Sequence, residues 1–216
     1  MKLTQFLAAA VVALPATLAS FHAAAAPVVY TSQAMFNTAI APHANGMDTF
    51  DTFTTGTSLN VQSLVRTAGA FAYTASVPDT LFRGMDTDGF LTNNNRFNTV
   101  TLSGFAPSIN AFGANFFGNN NSGQFIAGVS IVVNILETNS TLFSFTLTDT
   151  DRASFIGYRA GSSIDSVTFR SEQGFFGWPS VDNVTVAAIP EPMTLALVLL
   201  ALLGAAAASR RKAANS

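Results

Sequence analysis

The sequence contains no cysteine. Disulfide scaffolds, thiol nucleophiles and cysteine-ligated zinc or iron–sulfur centres are therefore excluded. Histidine is nearly as scarce, with two in the chain, and His22 lies just after the N-terminal apolar stretch, in the segment read below as a leader. A Ser-His-Asp triad would have to use His43 with Asp48 or Asp51, yet Pro42 and Asn45-Gly46 place His43 in an exposed loop. No nucleophile elbow, phosphate loop or metalloprotease motif occurs. Charge is sparse too: 10% of residues are charged, against roughly 25% in average soluble proteins. Residues 27–189 hold six arginines, no lysine and eleven acids, a net charge of −5. A nucleic-acid binder needs cations that displace counterions from phosphate, so that class is excluded.

The remaining cations sit at the two ends, and both ends read as addresses. Lys2 precedes an apolar stretch from Phe6 to Ala19, and the small residues Ala23–Ala26 follow. That order is a secretory signal peptide, assigned to residues 1–25. Pro15 and the brevity of the apolar stretch argue against a permanent anchor. At the other end come Pro190-Glu191-Pro192, then sixteen uncharged residues from Met193 to Ala208, then Arg210-Arg211-Lys212. As a helix, that stretch rises about 24 Å, marginal against a hydrocarbon core of about 30 Å. The basic cluster holds the end of the span in the cytoplasm. The two prolines break any helix upstream and leave Glu191 in an extended, accessible segment.

This three-part tail, over residues 189–212, closely resembles the PEP-CTERM sorting signal of exported bacterial proteins. The resemblance implies recognition by an exosortase, an integral-membrane cysteine transpeptidase that cleaves at or near the motif. It further implies transfer to the surface of a Gram-negative cell with an exopolysaccharide matrix. Pro190, Glu191, Pro192, Arg210, Arg211 and Lys212 carry that role, with the inner membrane a transient partner. A permanent tail anchor is the other reading.

The intervening body, residues 26–188, is long enough for one domain with a real core. Its apolar residues alternate in strand fashion. Val129, Ile131, Val133 and Ile135 form one such series, and Phe143, Phe145 and Leu147 another. Phe71–Val77 and Ile109–Phe117 continue the pattern, with shorter candidates at Val100–Leu102, Ile164–Phe169 and Val181–Val186. Asn93–Asn95, Gly118–Gly123, Glu137–Ser140 and Ala160–Ser163 supply turn chemistry, and Ser122-Gly123 marks a hairpin. Ser32 caps one short helix, Gln33–Ile40, ended by Pro42. Eight to ten strands with one peripheral helix predict an all-β, two-sheet jelly-roll-like sandwich. The body also resembles the β-sandwich ectodomains often joined to PEP-CTERM tails, through Phe50-Asp51-Thr52-Phe53, Ala111–Phe116, Phe155–Tyr158, Ile164–Phe169 and Val181–Val184. That resemblance implies no catalytic residue.

Three spots hold chemistry worth testing. Asp86-Thr87-Asp88-Gly89 opens like an oxygen-ligand loop, with Asn93–Asn95 nearby, so Asp86 and Asp88 are candidate ligands for a structural Ca²⁺. Solvated turn acids are the plainer reading. Asp149 and Asp151, or Asp86 and Asp88, offer carboxylate pairs of the kind a glycosidase uses. Trp178, after Phe175-Phe176-Gly177, either presents a sugar-stacking platform or plugs the core. The resulting expectation is a non-enzymatic exported protein of the cell surface or extracellular matrix, sorted by an exosortase. A carbohydrate-binding module contacting exopolysaccharide is the alternative, and a secreted glycoside hydrolase comes third.

Overall fold

The computed structural model describes residues 26–53, 59–84, 86, 88–172 and 176–190. The signal peptide, Glu191-Pro192, the Met193–Ala208 span and the Arg210–Lys212 cluster lie outside the described residues. Among the described residues no helix is long and apolar enough to cross a membrane.

Strand makes up more than half of the described residues, with one short helix. One layer runs β3 (Val61–Ala68), β4 (Phe71–Arg83), β6 (Val100–Ser103), β12 (Ile164–Ser171), β9 (Val129–Glu137) and β10 (Leu142–Thr150). The other runs β1 (Val28–Tyr30), β11 (Phe155–Arg159), β7 (Ala111–Asn119) and β13 (Trp178–Ala188). In it, β2 (Ala44–Asp48) pairs with β13 and β8 (Phe125–Ile126) with β7. The short β5 (Leu91–Asn93) pairs with both β4 and β13. The expected all-β, sandwich-like fold with one short helix is present, its two layers joined through β5 into one hydrogen-bonded sheet that curls over its own core. Among the described residues the sheet holds thirteen strands, ten on the path and three paired off it, against eight to ten expected. Several of the additional strands, such as β1, β5 and β8, are two or three residues long, too short to show an alternation.

The strands read from alternation form as expected. Val129, Ile131, Val133 and Ile135 of β9 are buried, facing Phe112, Ala114 and Phe116 of β7 across the core. Phe116 and Phe169 bridge the layers with ring centroids 5.3 Å apart. Burying each such aromatic removes about 150–250 Å² from water, the main drive holding the layers together.

Strand β7 differs from a half-buried strand because all nine of its residues are buried. Two covers account for this. The helix α1 (Gln33–Ile40), capped by Ser32 accepting from the Met35 amide at 3.4 Å, packs Phe36 and Ile40 over Ala111, Phe155 and Ala187. A Cβ on Gly113 or Gly157 would meet the Phe36 ring at 2.7 Å, so this approach requires glycine. The second cover is built on Arg152.

Candidate functional site

Asp86 and Asp88 do come together, around a cation the chain supplies itself. Arg152 donates from Nη2 to Asp86 and from Nη1 to Asp88 at 3.3 Å. Its guanidinium lies over Phe90, Phe117 and Phe125, at 5.6, 5.4 and 5.1 Å from their centroids. Both proposed calcium ligands thus serve to hold a cation–π lid over the outer face of β7. Among the described residues no group of three or more acidic or histidine side chains is arranged to hold a metal.

Beneath this lid, β13 bulges between Asp182 and Thr185, and Asn183 takes a positive φ of 52°. Asp182 is 4% exposed and accepts from the Asn183 amide at 2.6 Å. Burial pushes its carboxyl up to about 7; the neighbouring Asp88 and Asp51 add to the rise, while the Asn183 bond and Arg152 oppose it.

Two further acids are buried as braces. Asp48 accepts from Arg66 at 2.5 and 2.9 Å, from the Tyr73 hydroxyl at 2.6 Å and from the Phe50 amide at 3.1 Å. Glu137 accepts from the Tyr158 hydroxyl at 2.5 Å, from Ser162 and from the Gly161 amide. Burial and then the partner carboxylate push both tyrosine hydroxyls upward. These arrangements satisfy carboxylates rather than expose them, as structural roles require.

Of the carboxylates offered as hydrolase pairs, Asp86 and Asp88 are taken up by Arg152. Asp151 accepts from the Ala153 amide and the Ser154 hydroxyl, closing its own turn. Asp149 is exposed with φ at 49°. His43 is half-buried after the helix, its amide bonded to the Ile40 carbonyl.

Trp178 is the first residue of β13, opposite Asn119, rather than a loop residue. Its indole N–H donates to the Asn94 carbonyl at 2.9 Å. That bond ties residues 176–178 to the Asn93–Asn98 turn, which Asn93 braces by donating to Asn95 and Asn98. Gly177 lies so close to Val129 that a Cβ would sit 2.5 Å from Cγ2. The consequence is a small aromatic cluster that the sequence does not announce. Arg96 stands 4.8 Å from the Phe97 ring and 5.3 Å from the Phe176 ring. Phe97 is 71% exposed and Phe176 is 82% exposed. Of these residues, sequence reading singles out Trp178 as the candidate glycan contact or core plug and names Phe176 beside it. The missed signal is Arg96-Phe97 directly after an asparagine-rich turn.

No protein-family model matches the chain, and no curated protein matches it either. Among solved structures, it is similar to the CBM22-1 and GH10 modules of Clostridium thermocellum endo-1,4-β-D-xylanase 10B, complexed with xylohexaose. That similarity has 10% identity and a TM-score of 0.37, covering 67% of this chain and 28% of that one. The K2 cleaved adhesin domain of Lys-gingipain gives 10% identity and a TM-score of 0.36, covering 67% and 98% of the two chains. The family 11 carbohydrate-binding module of Clostridium thermocellum, in complex with a β-1,3-1,4-mixed-linked tetrasaccharide, gives 12% and 0.33, covering 68% and 97%.

Proposed function

We infer that this chain is an exported, non-enzymatic surface module that holds carbohydrate at the Phe97–Phe176 cluster. The observation that carries the reading is the exposure of two phenylalanines, at 71% and 82%, on a braced turn pair with an arginine between them. Leaving two large apolar rings in water is unfavourable unless something covers them. Arg96 covers one side of each ring and leaves the remainder open. A pyranose presents an apolar C–H face to such a ring and hydroxyls to a guanidinium. The Trp178 indole contributes by fixing the platform.

Sorting belongs to the same reading. Pro190, Glu191 and Pro192 form the exosortase recognition segment, and Arg210, Arg211 and Lys212 retain the precursor in the inner membrane until processing. The mature module then sits at the cell surface or in the polysaccharide layer. Mass spectrometry of the exported protein tests this part: an intact C-terminus through Ser216 would refute it. A glycan array followed by pull-down on native exopolysaccharide tests the rest. Phe97→Ala/Phe176→Ala should lose at least tenfold in affinity, consistent with the weight aromatic anchors carry in binding sites. Undiminished binding by that variant would overturn the platform.

A further inference from the structure

The layer opposite the helix carries a second, chemically different feature. Pairing register places Ser63 opposite Ser76, Ser76 opposite Thr101, and Thr101 opposite Thr168. The row continues from Thr168 to Asn134 and from Asn134 to Ser144. One hydroxyl or amide thus projects from each of six adjacent strands, from β3 across to β10. Strands lie about 4.8 Å apart, so the row extends for about 24 Å.

These side chains point away from the core, since their strand neighbours Ala75, Leu102, Val167, Val133 and Ile135 are buried. Each is exposed or half-exposed, and none hydrogen-bonds another described group. Their backbones are spent on the ladder, so the side chains are the groups left to bond a partner. The parallel row is also uncharged, running Val65, Thr74, Ser103, Ser166, Leu136 and Leu142. Charges stand at the border of the two rows: Asp165, exposed in the bulge beside Ser166, and Arg170, one step further along β12 opposite Val132.

We propose that this face is a docking surface for a neutral, extended polysaccharide chain lying across the strands. The proposal rests on the carbohydrate reading above but places a separate contact on a separate face. Hydroxyls both donate and accept, which matches a ligand whose polar groups are hydroxyls. The twelve residues of the two rows carry no charge, and the bordering Asp165 and Arg170 are one of each sign, so the face offers no net counterpart to a polyanion or a polycation. Val65, Leu136 and Leu142 give apolar contact to sugar C–H groups at the two ends of the second row. Exposed hydrogen bonds exchange with water at little net gain, so recognition here depends on many in register. That requires a polymer rather than a monosaccharide.

The test uses affinity electrophoresis of the intact ectodomain in gels holding dextran, hydroxyethylcellulose, mixed-linkage β-glucan or alginate. Thr101→Val/Thr168→Val removes two hydroxyls while keeping β-branched shape, and the melting temperature controls for folding. At least one neutral glucan should retard the wild type, alginate should not, and 0.5 M salt should leave retardation unchanged. The double variant should weaken binding about tenfold, as two hydrogen bonds lost together imply. Unchanged binding by a folded double variant overturns the face, and loss only with Phe97→Ala/Phe176→Ala leaves the aromatic platform standing alone. Loss only with the threonine variant upholds the face and removes the platform. Retardation by none of the glucans overturns the face. Sedimentation showing a dimer that the threonine variant dissolves also overturns it, by assigning the face to a second copy of the chain.

Discussion

Asp182 should contribute a stability that falls as pH rises, the opposite of a carboxylate's part in ordinary acid denaturation. Its carboxyl, 4% exposed, is raised by burial from 3.8 to about 7. The folded protein therefore binds a proton there that the unfolded chain releases across that interval. Where the native state holds more protons than the unfolded state, unfolding free energy decreases with pH. The slope approaches about 1.4 kcal/mol per pH unit between those limits. From pH 5 to pH 8 the loss amounts to about 2–3 kcal/mol, or roughly 5–10 °C in melting temperature for a domain of this size. Below pH 4 and above pH 8 the contribution is flat. Urea denaturation across this range, for the wild type and Asp182→Asn, reads it directly. The asparagine loses an acceptor for Asn183 Nδ2, now at 3.3 Å, but that cost does not vary with pH. Other carboxyls titrate in both proteins and cancel in the difference. Because Arg152 holds the Asp182 carboxyl down, Arg152→Met should shift the transition to higher pH. Parallel stability curves for the wild type and Asp182→Asn would refute the reasoning.

Other consequences are equally direct. Gly113→Ala drives a methyl into the Phe36 ring at 2.7 Å and should destabilise by about 1–3 kcal/mol, measured by urea midpoint with unchanged m-value. Asp48→Ala strands Arg66 and the Tyr73 hydroxyl in a buried setting and should cost about 3–5 kcal/mol; an effect below 1 kcal/mol would show the pair to be solvated. Thermal midpoints with calcium and with chelator should coincide, because Arg152 already engages Asp86 and Asp88. A calcium-dependent rise of several degrees would restore the metal site.

Much of the fold is legible in the sequence wherever one face meets water. Phe143, Phe145 and Leu147 alternate with Ser144, Thr146 and Thr148 because β10 closes the sheet path. Ser32 and Pro42 bracket the helix for local reasons alone. Strand β7 is harder to read: both its faces are buried, so Asn115, Phe117 and Asn119 break the alternation by packing beneath a lid. The lid itself is invisible in sequence, since Arg152 lies 64 and 66 residues from its two carboxylates. The same distance effect hides the platform. Trp178 and Phe97 belong together only because an indole reaches Asn94, 84 residues away.

The placement of β13 also bears on how the domain is made. It pairs with β7, β5 and β2, yet it is the last described strand. Synthesis delivers the N-terminus first, so β2 and β5 wait without that neighbour until Trp178–Ala188 arrives. Closure of the sheet is then a late, non-local event, slowed by the loop entropy that long-range pairing carries. The central strand thus sets when the domain can close.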